Sequence, residues 1–166
     1  MSSSGRFTME EVVWRPRLAP VDAATATPAQ RAALDACPPA QRGSAYFLTL
    51  AHDPASLGER GALFTTVMYA PRGLPRAERE LATAVVSMVN GCVYCTSVHA
   101  RRFAELTKEP AAMRRLLGEG FGAETDGRRR AIERMRRSSR ARPPRCPPPT
   151  WRRCGRRGST ISRSST

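Results

Sequence analysis

The chain lacks any long apolar run and has few histidines. Nothing in its 166 residues approaches the roughly 18 uncharged apolar residues of a membrane span. No apolar stretch follows the polar start at 1–6, which argues against a secretory signal. No segment shows the alternation of apolar and polar residues that a half-buried strand requires. These absences favour a helical protein of the cytoplasm that does not cross a membrane.

Acidic residues are almost absent from the last part of the chain. Residues 128–166 hold fourteen arginines against one acid, Glu133, for a net charge of +13, whereas the preceding residues contribute only +1 to the total of +14. This tail is also rich in proline and serine, and it has too few apolar side chains to offset the entropy of ordering. We therefore expect it to be disordered. Its charge favours nonspecific contact with polyanions, but no motif for specific nucleic-acid recognition is present.

The preceding sequence predicts an all-α bundle over residues 28–127, with an irregular segment at 1–27. Thr27-Pro28, Asp53-Pro54 and Pro75 are typical helix starts, because Thr and Asp cap and Pro is favoured in the first turn. We expect helices near 28–36, 40–51, 54–70, 75–89, 92–107 and 110–117. Two sets of apolar residues follow the helical period: Leu57, Leu63, Phe64, Val67 and Met68; and Leu81, Ala84, Val85, Met88 and Val89.

The block from Gly91 to His99 carries two thiols and an imidazole in the pattern C-x2-C-x3-H. At ~100° per residue, Cys92, Cys95 and His99 share one side of a helix that begins after Asn90-Gly91. Both thiols lie in its first turn, where the unpaired N–H groups are expected to lower their pKa and where a spacing of three lets them form a disulfide. His99 can accept or return a thiol proton. The block predicts a redox or metal site.

Glu80 is predicted to lie beside His99. If the helices before and after Asn90-Gly91 form an antiparallel hairpin, position 80 faces a position near 101, because both helices rise equally per residue. A carboxylate there would fix the tautomer of the imidazole. The residues thus propose a relay of Glu80, His99 and Cys95, with Cys92 as the second sulfur.

The pattern Glu80-x11-Cys92-x2-Cys95-x3-His99 resembles the signature of the alkylhydroperoxidase D / carboxymuconolactone decarboxylase-like superfamily, in its peroxidase-related branch. The similarity covers about 53–120. It implies an all-helical fold that assembles as trimers or hexamers. It also implies a thiol-dependent peroxidase in which Cys95 attacks the peroxide, Cys92 resolves the sulfenic acid, and Glu80 and His99 move protons. An external dithiol or disulfide reductant would restore the thiols, and we expect no cofactor and no metal.

Two features depart from this family pattern. Members often carry a histidine between the cysteines, where this chain has Tyr94. Members also continue with apolar helices where this chain has its basic tail, and we interpret the tail as the result of a truncated or frame-shifted C-terminus. An inactive family fragment is therefore an alternative to the enzyme.

Other readings of the same residues remain open. The cysteines could be inert buried thiols, or zinc ligands together with His99, although a fourth ligand is not evident. Covalent haem attachment is excluded because Thr96, and not His, follows Cys95. Glu80 could pair with Arg76, and His99 could be a core histidine bonded to a carbonyl. Four aromatic residues and one methionine could line a substrate pocket or simply pack in the core: Tyr46, Phe47, Phe64, Tyr69 and Met68. We assign no role to Cys37, Cys146 or Cys154.

Overall fold

The structure, a computed structural model, describes residues 7–122 and 126–135. Within these ranges all regular structure is helical, which confirms the predicted all-α class. None of the described helices is long and apolar enough to cross a membrane. The elements are α1 (Pro28–Asp35), a 3-10 turn (Pro39–Gln41), α2 (Ala45–Leu50), α3 (Pro54–Tyr69), α4 (Arg76–Val89), α5 (Val93–Thr107), α6 (Pro110–Glu119) and α7 (Gly127–Arg134).

The helix starts follow the local chemistry of the sequence. Thr27 and Gln30 form a capping box, in which the Thr27 hydroxyl accepts from the Gln30 N–H at 3.3 Å and the Gln30 side chain accepts from the Thr27 N–H at 2.9 Å. Asp53 caps α3 through a bond from the Ser56 N–H at 3.1 Å. Each cap satisfies a backbone donor that the helix leaves unpaired, and this fixes where the helix begins.

A tight turn joins α4 to α5 and sets the register of the site. Gly91 has a φ of 71°, which glycine adopts without strain. The Gly91 N–H donates to the Met88 carbonyl at 3.1 Å, and the Cys92 N–H donates to the Ser87 carbonyl at 2.9 Å. These two bonds close α4 as a Schellman motif. Because Cys92 is also the N-cap of α5, the chain reverses at once into an antiparallel hairpin.

The described residues form two apolar cores, and the larger one contains the hairpin. The larger core joins α4 and α5 to α6 and α7 and contains Leu81, Ala84, Val85, Met88, Ala100, Phe103, Ala112, Met113, Leu116, Leu117 and Ile132. The smaller core joins α1, α2 and α3 to the N-terminal segment and contains Val21, Ala26, Leu34, Cys37, Ala51 and Leu57. Of the segment before α1 the structure describes residues 7–27, which form no helix, and within them Val21 and Ala26 are buried parts of this core.

The structure differs from the sequence prediction after residue 127. Residues 127–134 form α7, capped by Asp126 and packed against α4, although the basic tail was predicted to begin at 128. Ile132 is only 4% exposed and joins the larger core. One buried isoleucine and a capping aspartate therefore order a stretch that composition alone marks as irregular. The remainder of the predicted tail, 136–166 with Cys146 and Cys154, lies outside the described residues.

The apolar positions of α3 are only partly buried. Leu57 and Met68 are in the interior, but Leu63 and Val67 are 65% and 56% exposed. Since they stand four residues apart, they form one exposed apolar strip on the outer side of α3. The helical period of these apolar residues therefore does not mean that all of them are buried.

Candidate active site

The buried carboxylate of Glu80 is bonded to the imidazole of His99. Glu80 Oε2 lies 2.5 Å from His99 Nδ1, and the Glu80 residue is 0% exposed. The contact joins α4 to α5, as the hairpin register predicted. His99 is thus not a core histidine bonded to a backbone carbonyl.

Arg76 is the second partner of the same carboxylate. Its guanidinium donates to Glu80 Oε1, with Nε at 2.9 Å, and stacks over the Tyr69 ring at 3.9 Å. Burial alone would raise the pKa of Glu80, but the hydrogen bonds and charges of His99 and Arg76 outweigh burial and lower it below its usual value. Glu80 is therefore ionised at neutral pH. The ion pair with Arg76 and the contact with His99 coexist, one on each carboxylate oxygen.

This arrangement fixes the chemical character of His99. An ionised carboxylate can only accept hydrogen bonds, so Nδ1 of His99 carries the proton that it shares with Glu80. In the neutral imidazole the other nitrogen, Nε2, is then an acceptor. The Glu80–His99 pair therefore presents a base at Nε2, which is what removal of a thiol proton requires.

The two cysteines meet at the start of α5. The Cys92 sulfur accepts a hydrogen bond from the Cys95 N–H at 3.3 Å, so Cys92 caps the helix that carries Cys95. Both thiols are partly buried. Behind them, the fully buried hydroxyls of Thr96 and Ser97 are satisfied by the carbonyls of Cys92 and Tyr94. The first turn is thereby held rigid around the sulfur atoms.

The pKa of Cys95 moves opposite to the sequence-based expectation. Burial, together with hydrogen bonding and charge from Cys92, raises the pKa of the Cys95 thiol to about 11. The N–H groups of the first turn were expected to lower it, but one of them bonds to the neighbouring Cys92 sulfur. At neutral pH the Cys95 thiol is protonated, and its reaction as a nucleophile depends on a base.

Cys95, Glu80 and His99 line one large cavity of about 1220 Å³. The cavity lies between α5 and the α2–α3 region, and it is lined by four of the five residues for which both pocket lining and core packing were open: Tyr46, Phe47, Phe64 and Tyr69. The fifth, Met68, is 3% exposed and packs in the interior. Cys92 is not among the lining residues, so the two sulfurs differ in their access to a ligand. A ligand in this cavity meets Cys95 first.

Tyr94 lies between the two cysteines, where the family pattern that the sequence resembles often has histidine. Its ring packs edge-on against Trp14, with centroids 4.9 Å apart, and lies 5.9 Å from the Tyr46 ring. Burial is the largest of several causes that raise the pKa of its phenol. Tyr94 therefore remains protonated at neutral pH and does not replace a histidine as base.

The described residues do not support the metal alternative. Within 7–122 and 126–135, no group of three or more His, Cys, Asp or Glu side chains is arranged to hold a metal ion. Glu80 already occupies Nδ1 of His99, and the Cys92 sulfur accepts a backbone N–H.

Sequence reasoning missed Arg60 of α3. Its guanidinium lies over three aromatic rings of the cavity, at 5.3 Å from the Tyr46 and Phe64 centroids and 5.6 Å from that of Phe47. Arg60 stands three and four residues before Leu63 and Phe64 on α3. That spacing predicts that Arg60 and Phe64 share one face of α3. Nothing in the sequence indicates that Tyr46 and Phe47 of α2 would lie beside them.

One comparison with known proteins found a match. Residues 57–119 match the sequence model of the Carboxymuconolactone decarboxylase family. This segment runs from α3 to α6 and contains Glu80, Cys92, Cys95 and His99. No curated protein and no solved structure was found to match the chain.

Proposed function

We propose that this chain is a thiol-dependent peroxidase. Its residues 57–119 match the Carboxymuconolactone decarboxylase family model, in line with the resemblance of its motif. The observation that carries the proposal is the Glu80–His99 contact at 2.5 Å, which presents a base to the cavity that Cys95 lines. Carboxylate, imidazole and thiol in this order form a relay in which the carboxylate orients the base and the base serves the nucleophile. Peroxide reduction requires such a nucleophile.

In the first proposed step, the Cys95 sulfur attacks one peroxide oxygen and the O–O bond breaks. Cys95 is oxidised to a sulfenic acid, and the peroxide is reduced to an alcohol, or to water if it is hydrogen peroxide. The thiol proton passes to His99 Nε2 and from there to the departing oxygen. Glu80 keeps its charge throughout and stabilises the imidazolium that forms.

In the second step, the Cys92 sulfur attacks the Cys95 sulfur, a disulfide forms, and water leaves. Cys92 sits one helical turn from Cys95, which suits a resolving thiol that does not line the cavity. In the third step, an external dithiol reduces this disulfide by exchange and is itself oxidised to a disulfide. A reducing compartment such as the cytoplasm would supply that dithiol.

A second candidate, a family domain with inert thiols, is favoured by one observation. The Cys95 pKa of about 11 leaves roughly one thiol in ten thousand ionised at pH 7. Without base assistance, so small a thiolate fraction would make Cys95 slow. The two candidates therefore differ in a single property, the transfer of the Cys95 proton to His99.

We also propose that the chain assembles into a homo-oligomer through α3. The strip formed by Leu63 and Val67 is the exposed apolar surface that such an assembly would cover. The family resemblance implies trimers or hexamers.

The function is tested by peroxide consumption with a dithiol reductant. We expect wild type to turn over, Cys95→Ser to lose all turnover, and Cys92→Ser to turn over more slowly, because its sulfenic acid lacks the internal resolving thiol and must react with the external dithiol. Cys37→Ser, which changes the buried thiol of the smaller core, is the matched control and should turn over like wild type. Full activity in Cys95→Ser, or none in wild type, would reject the proposal.

A further inference from the structure

The guanidinium of Arg60 lies inside the cavity that contains Cys95 and His99. Its three aromatic neighbours come from two helices, with Tyr46 and Phe47 on α2 and Phe64 on α3. Cation–π contact with these rings holds the guanidinium carbon within 5.6 Å of each centroid. The position of the charge is therefore built by the fold and is not that of a free surface arginine.

The three rings lie near the guanidinium carbon, but they offer no oxygen or nitrogen acceptor along this contact to its N–H groups. Among the described residues, no carboxylate forms an ion pair with Arg60 and no acceptor forms a hydrogen bond with it. Arg76, the other ring-stacked arginine of the cavity, has Glu80 as its counter-ion. Arg60 thus offers planar N–H donors and a positive charge to whatever enters the cavity.

The charge balance of the cavity indicates the charge of the anion that it would bind. Four arginines line it, Arg60, Arg76, Arg101 and Arg102, against three glutamates, Glu11, Glu80 and Glu105, so the net charge is +1. One negative charge would neutralise it. A carboxylate has that charge and the planar geometry that a guanidinium binds with two parallel hydrogen bonds.

We infer that Arg60 binds the carboxylate of an organic hydroperoxide whose apolar body lies against Tyr46, Phe47 and Phe64. This inference rests on the proposed function, and it makes Arg60 a specificity-determining residue of the same site. The aromatic rings provide the apolar surface, and Arg60 selects acids over neutral compounds of the same shape. Neutral peroxides would still reach Cys95 but would bind without this contact.

The first experiment measures binding and needs no turnover. We use 3-phenylpropionate and the neutral 3-phenylpropan-1-ol as probes, with dissociation constants from calorimetry. Wild type should bind the acid at least tenfold more tightly than the alcohol, since a charge-assisted contact is lost in the alcohol. Arg60→Gln should lose this preference, so that acid and alcohol bind about equally. Arg60→Lys, which keeps the charge but not the planar fork, should retain part of it.

Arg114→Gln is the matched control, because Arg114 is an exposed arginine of α6 that does not line the cavity. It should keep the full preference for the acid. Equal binding of acid and alcohol by wild type would overturn the inference, as would an equal loss of acid binding in Arg114→Gln. Tighter binding of phenyl phosphate than of 3-phenylpropionate would overturn the choice of a carboxylate.

The second experiment compares kcat/KM for a carboxylate-bearing aryl hydroperoxide and its methyl ester. The ratio of acid to ester isolates Arg60, because both substrates meet the same Cys95 thiol and any change in its pKa cancels. We expect a ratio of about ten or more in wild type and close to one in Arg60→Gln. Turnover of both substrates at equal rates by wild type would overturn the inference but not the peroxidase. If neither substrate reacts, the proposed peroxidase function is rejected, and the calorimetric comparison of acid and alcohol alone decides whether Arg60 binds a carboxylate.

Discussion

Replacing Glu80 with glutamine tests the buried network at its centre. The Glu80 side chain is 1% exposed, and those of its partners Arg76 and His99 are 22% and 13% exposed. Folding therefore removes most of the water around all three polar groups. Removing one member of a buried pair costs about 3–5 kcal/mol. Glutamine keeps the shape and one acceptor oxygen, and Arg76 retains some water, so we expect a loss of about 2–3 kcal/mol in the free energy of unfolding.

The same substitution should lower peroxidase activity through the imidazole. Glutamine can bond to Nδ1 of His99 but supplies no charge to stabilise the imidazolium, so proton transfer from Cys95 becomes less favourable. We expect kcat/KM for peroxide to fall about 10²-fold or more, within the range that general-base catalysis contributes. Urea unfolding and peroxide consumption measure the two effects on one preparation.

Glu119→Gln is the control for charge removal alone, because Glu119 is exposed at the end of α6. It should change the free energy of unfolding by less than about 0.5 kcal/mol. A Glu80→Gln protein with the stability and the activity of wild type would refute the reasoning, since it would mean that neither Arg76 nor His99 depends on the carboxylate.

Three further predictions follow from the same structure. Because folding lowers the pKa of Glu80, ionised Glu80 stabilises the folded protein in full above its ordinary pKa of 4.5, and this stabilisation is lost as the pH falls through the lower folded pKa. The difference in unfolding free energy between wild type and Glu80→Gln should therefore narrow below pH 4.5 in urea titrations. Ile132→Ala should lower the free energy of unfolding by about 2–4 kcal/mol, because Ile132 is buried in the larger core. Met135→Ala, at a half-exposed position, should lower it little. Small and equal losses in the two variants would contradict the packing of α7. Leu63→Glu should convert the proposed oligomer to monomers in light scattering without loss of helix content, and a wild-type monomer would reject that assembly.

The α4–α5 hairpin could be predicted because its determinants are local. Asn90-Gly91 ends one helix and Cys92 begins the next, so the number of residues on each side of the turn sets which positions face each other. That count predicts that Glu80 lies beside His99, and the 2.5 Å contact between them confirms it. Helix starts at Thr27 and Asp53 follow from capping in the same way.

Properties that depend on distant segments could not be read from the sequence. The pKa of Cys95 depends on burial by neighbouring elements, and the expectation from its own helix has the opposite sign. Arg60 becomes a cavity residue only because α2 brings Tyr46 and Phe47 over it. Periodicity assigns Leu63 an apolar face but does not say whether another helix covers that face. In each case the missing information is tertiary.

The most direct test of the proton relay is the pH dependence of the reaction of Cys95 with peroxide in single turnover. Wild type and His99→Gln are compared from pH 5 to 10 in a Cys37→Ser background, with no external dithiol and with the Cys92–Cys95 disulfide that forms located by mass spectrometry. If His99 accepts the proton, wild type reacts at neutral pH despite the thiol pKa of about 11, while His99→Gln reacts only as the pH approaches that value. Identical pH profiles for the two proteins would contradict the account.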